Sequence, residues 1–128
     1  ERVNKMKKCR DLLINLVVEN NTDCQLTGHP IERLPQHASF VFKDVDGNLL
    51  LSMLDDKGFA CSSGSACKTG NPEPSEVLTA IGLEREWSLG SLRVTIGLST
   101  TETQVRHFCD ILPSVIETNR KLTKLGRP

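Results

Sequence analysis

Between residues 91 and 97 the side chains alternate strictly, Ser91-Leu92-Arg93-Val94-Thr95-Ile96-Gly97. Successive side chains of a strand point to opposite faces, so Leu92, Val94 and Ile96 must meet a core while Arg93 and Thr95 face away from it. Such a strand belongs to a sheet with one covered face and one wet face. The next segment of the chain supplies the cover. Ser99 and Glu102 have the spacing of a capping box, and Val105, Phe108, Ile111, Leu112, Val115, Ile116 and Leu122 then form one apolar side of a long helix. Pro113 lies inside that helix and is expected to bend it, because its ring crowds the carbonyl of Cys109.

The rest of the chain fits the same plan. Val3, Met6, Leu13, Leu16 and Val17 recur at helical spacing up to Asn20-Asn21. No helix-start signal precedes them, which suggests a piece of a longer protein. Cys24 to Thr27 is long enough only for a strand, and Gly28-His29-Pro30 breaks it. After Leu34-Pro35, residues His37 to Lys43 read as a central strand ending in the turn Asp44-Val45-Asp46-Gly47. Asp46 caps a helix with Leu50, Leu51, Met53 and Leu54 on its apolar side and Gly58 as its stop. Phe59 to Cys61 is expected as a short strand. A short helix beginning near Pro74 buries Val77, Leu78 and Ile81, and an irregular, charged connection from Leu83 to Gly90 is anchored by Trp87. The expected class is therefore α+β, a small antiparallel or mixed sheet of three to four strands with helices mainly on one face, in a single domain spanning 1–128.

Charge and cysteine content narrow the function. Sixteen basic and sixteen acidic residues cancel, there is no Tyr and only one Trp, and no basic face with stacking aromatics is evident, which argues against nucleic-acid binding. No apolar run approaches the roughly 20 residues that span a bilayer, so no membrane association is expected. Five cysteines at irregular spacing fit neither a disulfide framework nor a zinc site, and a reducing, cytoplasmic compartment is the expectation.

One of those cysteines stands apart. Cys67 ends the run Ser62-Ser63-Gly64-Ser65-Ala66, small and hydroxyl-bearing residues with little apolar surface to bury, so its thiol is presented where Cys61, after Phe59-Ala60, reads as packed. The loop 62–72 is thus the candidate catalytic segment, and Lys68 could favour the thiolate of Cys67. A catalytic base is harder to find. His29, His37 and His107 are scattered and read as structural or surface residues, which makes a self-contained cysteine–histidine hydrolase weak. Arg93, on the far side of its strand, could hold a carboxylate through its planar fork or could simply be solvated.

Taken together, Ser62-Ser63-Gly64-Ser65-Ala66-Cys67, Glu73-Pro74-Ser75 with Val77-Leu78 and Gly82, Gly90 to Gly97, and Thr100-Thr101-Glu102 resemble the carboxy-terminal part of cysteine desulfurases of the NifS/IscS type, in order and spacing over essentially the whole chain. The Ser-Ser-Gly-x-x-Cys form is similar to the long-loop group of that family. The resemblance implies the small domain of a fold type I pyridoxal-phosphate enzyme of the class V aminotransferases, which converts L-cysteine to L-alanine. Cys67 then matches the cysteine that receives sulfur as a persulfide, and Arg93 the arginine that holds the substrate carboxylate.

It also implies a homodimer at full length and a sulfur acceptor or iron–sulfur scaffold protein as partner, with iron–sulfur cluster or other sulfur-cofactor synthesis as the use. The family's cofactor-binding lysine, stacking histidine and pyridine-nitrogen aspartate match no stretch here, so pyridoxal 5'-phosphate is expected in the full-length enzyme and not in this segment, which alone is expected to be inactive. Lys68-Thr69-Gly70-Asn71-Pro72 departs from the small-residue run often found after the cysteine. Selenocysteine lyase, another enzyme of the same fold, or a non-catalytic module docking a sulfur acceptor are the alternatives.

Overall fold

The computed structural model describes residues 2–27, 36–62 and 84–125. Helix α1 (Arg2–Asn20) turns Cys9, Leu13 and Val17, four residues apart, into the core. Strand β1 (Cys24–Thr27) comes next, then β2 (His37–Phe42), helix α2 (Gly47–Asp56), the single helical turn α3 (Arg85–Ser88), strand β3 (Ser91–Thr95) and helix α4 (Glu102–Leu125). The three strands form an antiparallel sheet in the order β1-β2-β3, which puts β2 in the centre as its composition predicts. Ala38, Phe40 and Phe42 of β2 join Leu92, Val94 and Ile96 in one core with residues of α1, α2 and α4. The α+β class, with helices gathered on one side of a small sheet, is the observed architecture.

Helix α2 ends as its residues require at both termini. The Asp46 carboxylate accepts from the backbone N–H groups of Asn48 (3.0 Å) and Leu49 (3.2 Å). At the other end Gly58 has φ +91°, and the N–H groups of Gly58 and Phe59 donate to the carbonyls of Asp55 and Leu54, both at 2.9 Å, a Schellman closure that needs a residue without a β-carbon.

Helices α1 and α4 lie side by side and run the same way: the Cys9 thiol donates to the Thr100 carbonyl near their starts (3.7 Å), and Arg120 reaches Thr22 near their ends. That arginine is a clamp. Its guanidinium donates to the carbonyls of Thr22 (2.8 Å), Asp23 (3.2 Å) and Lys43 (3.0 Å), fixing two turns in which Asp23 and Asp44 hold positive φ. One position along, the fully buried Asn119 accepts from the N–H of Asp46 (2.9 Å) and donates to its carbonyl (3.0 Å), so α4 is pinned to the residue that caps α2.

Several details depart from expectation. Residues 59–61 are not a strand: Phe59 is held by its bond to Leu54 and by an edge-on contact with Phe108 at 5.1 Å, and only Ser62 reaches the sheet. The box that starts α4 is Thr101 with Gln104, not Ser99 with Glu102. The Thr101 hydroxyl accepts from the Gln104 N–H (3.1 Å) and the Gln104 carboxamide oxygen accepts from the Thr101 N–H (2.9 Å), while Thr100 uses its own hydroxyl to accept from Gly97.

Leu122 is 49% exposed, and Asn119 takes the buried place one turn earlier on α4 because its amide is satisfied there. The connection before β3 is a helical turn in which Ser88, Leu89 and Gly90 are buried and Trp87 only partly so. Helix α4 contains Pro113 within its span Glu102–Leu125, the place expected of it. Residues 28–35, including His29, the helix expected near Pro74 and the loop beyond Ser62 lie outside the described residues.

Candidate active site

The wet face of the sheet is built by the two strands that alternate. Arg93 and Thr95 of β3 are exposed, and they stand opposite Ser39 and His37 of β2, both half-buried. Both main-chain groups of Arg93 point away from β2. Its N–H donates to the Ser62 carbonyl (2.7 Å), and its carbonyl accepts from the Ser62 N–H (3.1 Å). Arg93 and Ser39 therefore form a pair without hydrogen bonds between them, the kind in which side chains stand closest, and the same parity applies to Thr95 and His37. Ser39 is short, so the guanidinium meets no bulky neighbour across the strand. None of the ion pairs among the described residues uses Arg93.

Ser62 is thus a one-residue extension of the sheet beyond β3, and it is the first residue of the candidate loop. Cys67 itself lies outside the described residues. Five residues of chain span about 18 Å at full extension. The covalent distance from the Arg93–Ser62 bridge to the Cys67 thiol is therefore bounded.

The other cysteines are packed. Cys9 and Cys109 are buried, and Cys24 and Cys61 are half-buried. Burial pushes the Cys61 thiol up to about 11. The same cause raises Cys109 to about 11, with the neighbouring Asp110 charge adding to it, and Cys24 to about 12 despite the opposing charge of Arg120. All three are protonated at neutral pH and poor nucleophiles.

In the unfolded chain these thiols lose their protons near 9, before the folded chain does. Their contribution to stability is complete below pH 9 and is lost as pH rises through 11 to 12. The urea midpoint is expected to fall between pH 9 and 11, and Cys61→Ala should make that fall shallower. A midpoint that held or rose over this range would contradict the burial argument.

Cys61 lines a cavity of about 250 Å³ on the core side of the sheet, together with Leu13, Phe59, Ile96, Val105 and Phe108. None of the described residues that line it is a lysine, so they offer no partner for a cofactor bound as an imine. His107 is exposed, as expected of a surface residue, and its ring lies tilted by 48° against that of Phe59 with centres 5.5 Å apart. Among the described residues no group of three or more His, Cys, Asp or Glu side chains could hold a metal ion, and no helix is long and apolar enough to cross a membrane. His37 is the polar residue whose place beside Arg93 does not emerge from the linear sequence. The available signal is its two-residue spacing from Ser39, which puts both on the opposite face from Ala38 and Phe40.

The chain that carries Arg93 and its bridge to Ser62 is similar to known proteins in sequence and in fold. The Aminotransferase class-V family model matches residues 3–108, and the chain belongs to that family. The cysteine desulfurase IscS 1 of Archaeoglobus fulgidus is 35% identical over 127 residues, which is 99% of this chain and 33% of that protein. The cysteine desulfurase IscS of Dictyoglomus turgidum is 36% identical over 123 residues, 96% of this chain and 31% of the relative. The chain thus spans about a third of the length of these relatives.

Among solved structures, a NifS-like protein superposes with a TM-score of 0.73 at 21% identity, covering 91% of this chain and 28% of that one. The NifS-like protein of Rickettsia africae gives 0.75 at 20% identity, covering 90% and 29%. The fold is that of the matching portion of these proteins.

Proposed function

We propose that this chain is the small, carboxy-terminal domain of a cysteine desulfurase, and that in the full-length enzyme it supplies the substrate-carboxylate anchor, Arg93, and the sulfur-accepting nucleophile, Cys67. The observation that carries the reading is the backbone bridge between Arg93 and Ser62, which starts the Cys67 loop beside the proposed anchor. Arg93 offers two parallel N–H donors to the carboxylate of L-cysteine. Holding that end of the substrate leaves its sulfur free to meet a thiol carried by the loop, and it removes much of the orientational entropy from the encounter.

The Cys67 thiolate attacks the substrate sulfur, and a sulfur–sulfur bond forms as the carbon–sulfur bond breaks. The electron pair of that bond stays with the β-carbon, which takes up a proton, and a persulfide on Cys67 and L-alanine result. When bound, pyridoxal 5'-phosphate supplies the electron sink that lets that carbon leave. That cofactor is assigned to the remainder of the full-length enzyme, because the chain belongs to the class-V aminotransferases and spans about a third of its cysteine desulfurase relatives. The persulfide then passes to a sulfur acceptor or an iron–sulfur scaffold protein, and the full-length enzyme acts as a homodimer in the cytoplasm.

Arg93→Ala in the full-length enzyme tests the anchor. Two charge-assisted hydrogen bonds are lost, so KM for L-cysteine is expected to rise by about 100-fold. An unchanged KM would remove Arg93 from the site.

A further inference from the structure

We infer that His37 is a second substrate-binding residue, which donates from Nε2 to the carboxylate that Arg93 holds; this rests on the function proposed above. Three observations carry it. First, His37 and Arg93 occupy the same face of the sheet as diagonal neighbours, since His37 is opposite Thr95 and Ser39 is opposite Arg93. Diagonal residues on one face are roughly 7 Å apart, within the span of an imidazole and a guanidinium that share one small anion.

Second, the ring is oriented. The Thr95 hydroxyl lies 3.3 Å from His37 Nδ1, which engages that nitrogen and leaves Nε2 without a protein partner among the described residues. When the hydroxyl donates to Nδ1, the proton of the neutral ring sits on Nε2, and in the imidazolium Nε2 carries a proton as well. Both of these states put an N–H at Nε2 on the arginine's face. The other neutral tautomer, in which Nδ1–H donates to the Thr95 hydroxyl, does not, and a bound carboxylate selects against it. Third, no strand residue among those described brings a carboxylate to this face: Gln25 and Thr27 of β1, His37, Ser39 and Val41 of β2, and Ser91, Arg93 and Thr95 of β3 share it, and none is acidic. An arginine and a histidine on a face without acids, separated by a serine and a threonine, suit a monocarboxylate better than a neutral ligand.

The test uses the full-length holoenzyme and two probes, L-alanine, which keeps the carboxylate but has no sulfur to transfer, and cysteamine, which lacks the carboxylate. Binding is measured by calorimetry for the wild type, His37→Ala, His37→Gln, Thr95→Val and Arg93→Ala. His37→Ala is expected to weaken L-alanine about five- to tenfold, the loss of one hydrogen bond to a charged group, and to leave cysteamine unchanged. His37→Gln, which keeps an N–H donor, should restore most of the loss, and Thr95→Val should give a smaller defect in the same direction.

Unchanged L-alanine binding in His37→Ala overturns the inference. So does an equal loss for both probes in His37→Gln, which would mark His37 as structural. If Arg93→Ala also leaves L-alanine binding unchanged, the carboxylate reading of the whole face fails. If Arg93→Ala weakens it and His37→Ala does not, only the role of His37 fails.

Discussion

Replacing Cys67 by serine in the full-length enzyme is expected to reduce sulfide and alanine production from L-cysteine by on the order of a thousandfold or more, because the chemistry needs a sulfur nucleophile and a hydroxyl is neither ionised at neutral pH nor able to carry a persulfide. Cys61→Ser is the matched control. It lies six residues earlier, half-buried, with burial holding its thiol up to about 11, and it faces the cavity on the core side of the sheet. That variant should keep its turnover within a few-fold. Normal alanine and sulfide output from Cys67→Ser would sink the assignment, and a severe loss in Cys61→Ser with Cys67→Ser unaffected would move the nucleophile to the buried position. Measuring alanine together with sulfide matters, since a defect in sulfur delivery alone would spare the first turnover of alanine.

Gly90→Ala is the second large effect, and it acts on the frame of the site. A β-carbon at Gly90 would overlap the Phe42 carbonyl oxygen and would come within 3.1 Å of both the Cβ and the carbonyl oxygen of Val45. The obstacle is backbone at the end of the central strand, where the Phe42 N–H also donates to the Gly90 carbonyl at 3.0 Å. Relief requires β3 to move away from β2, which would break the register that sets Arg93 opposite Ser39.

The expected cost is about 3 kcal/mol or more, seen as a thermal midpoint lower by roughly 10 °C. Gly58→Ala gives the contrast. At Gly58 a β-carbon meets nothing within 4 Å, and only the positive φ is penalised, so the loss should be about 1 kcal/mol. Equal midpoints for the two variants would refute the close-approach argument.

How much of this is legible in one dimension depends on the range of the interaction. The bounds of β1, the Asp46 cap, the Gly58 stop and the alternation of β3 all rest on the residues themselves or on contacts a few residues apart, and the central place of β2 is hinted at only by its apolar composition. The start of α4 differs from expectation because Ser99–Glu102 and Thr101–Gln104 carry the same local signal, and the choice falls to Thr100, whose hydroxyl closes the turn at Gly97. Asn119 reads as polar and therefore outward. Its burial depends on Asp46, 73 residues away, whose main chain satisfies the amide.

The candidate site divides along the same line. Residue chemistry alone singles out an exposed cysteine on a Ser/Gly loop and an arginine on the wet side of a strand, because small hydroxylated residues and period-two alternation are local properties of the chain. Only the folded chain decided that Ser62, at the start of that loop, bonds to Arg93, and that His37 and Thr95 stand beside it. Those pairings join residues 31 and 58 positions apart. They exist because β2 and β3 pair antiparallel in a register set by burying Phe40, Leu92 and Val94, and no pattern within a single segment encodes that register.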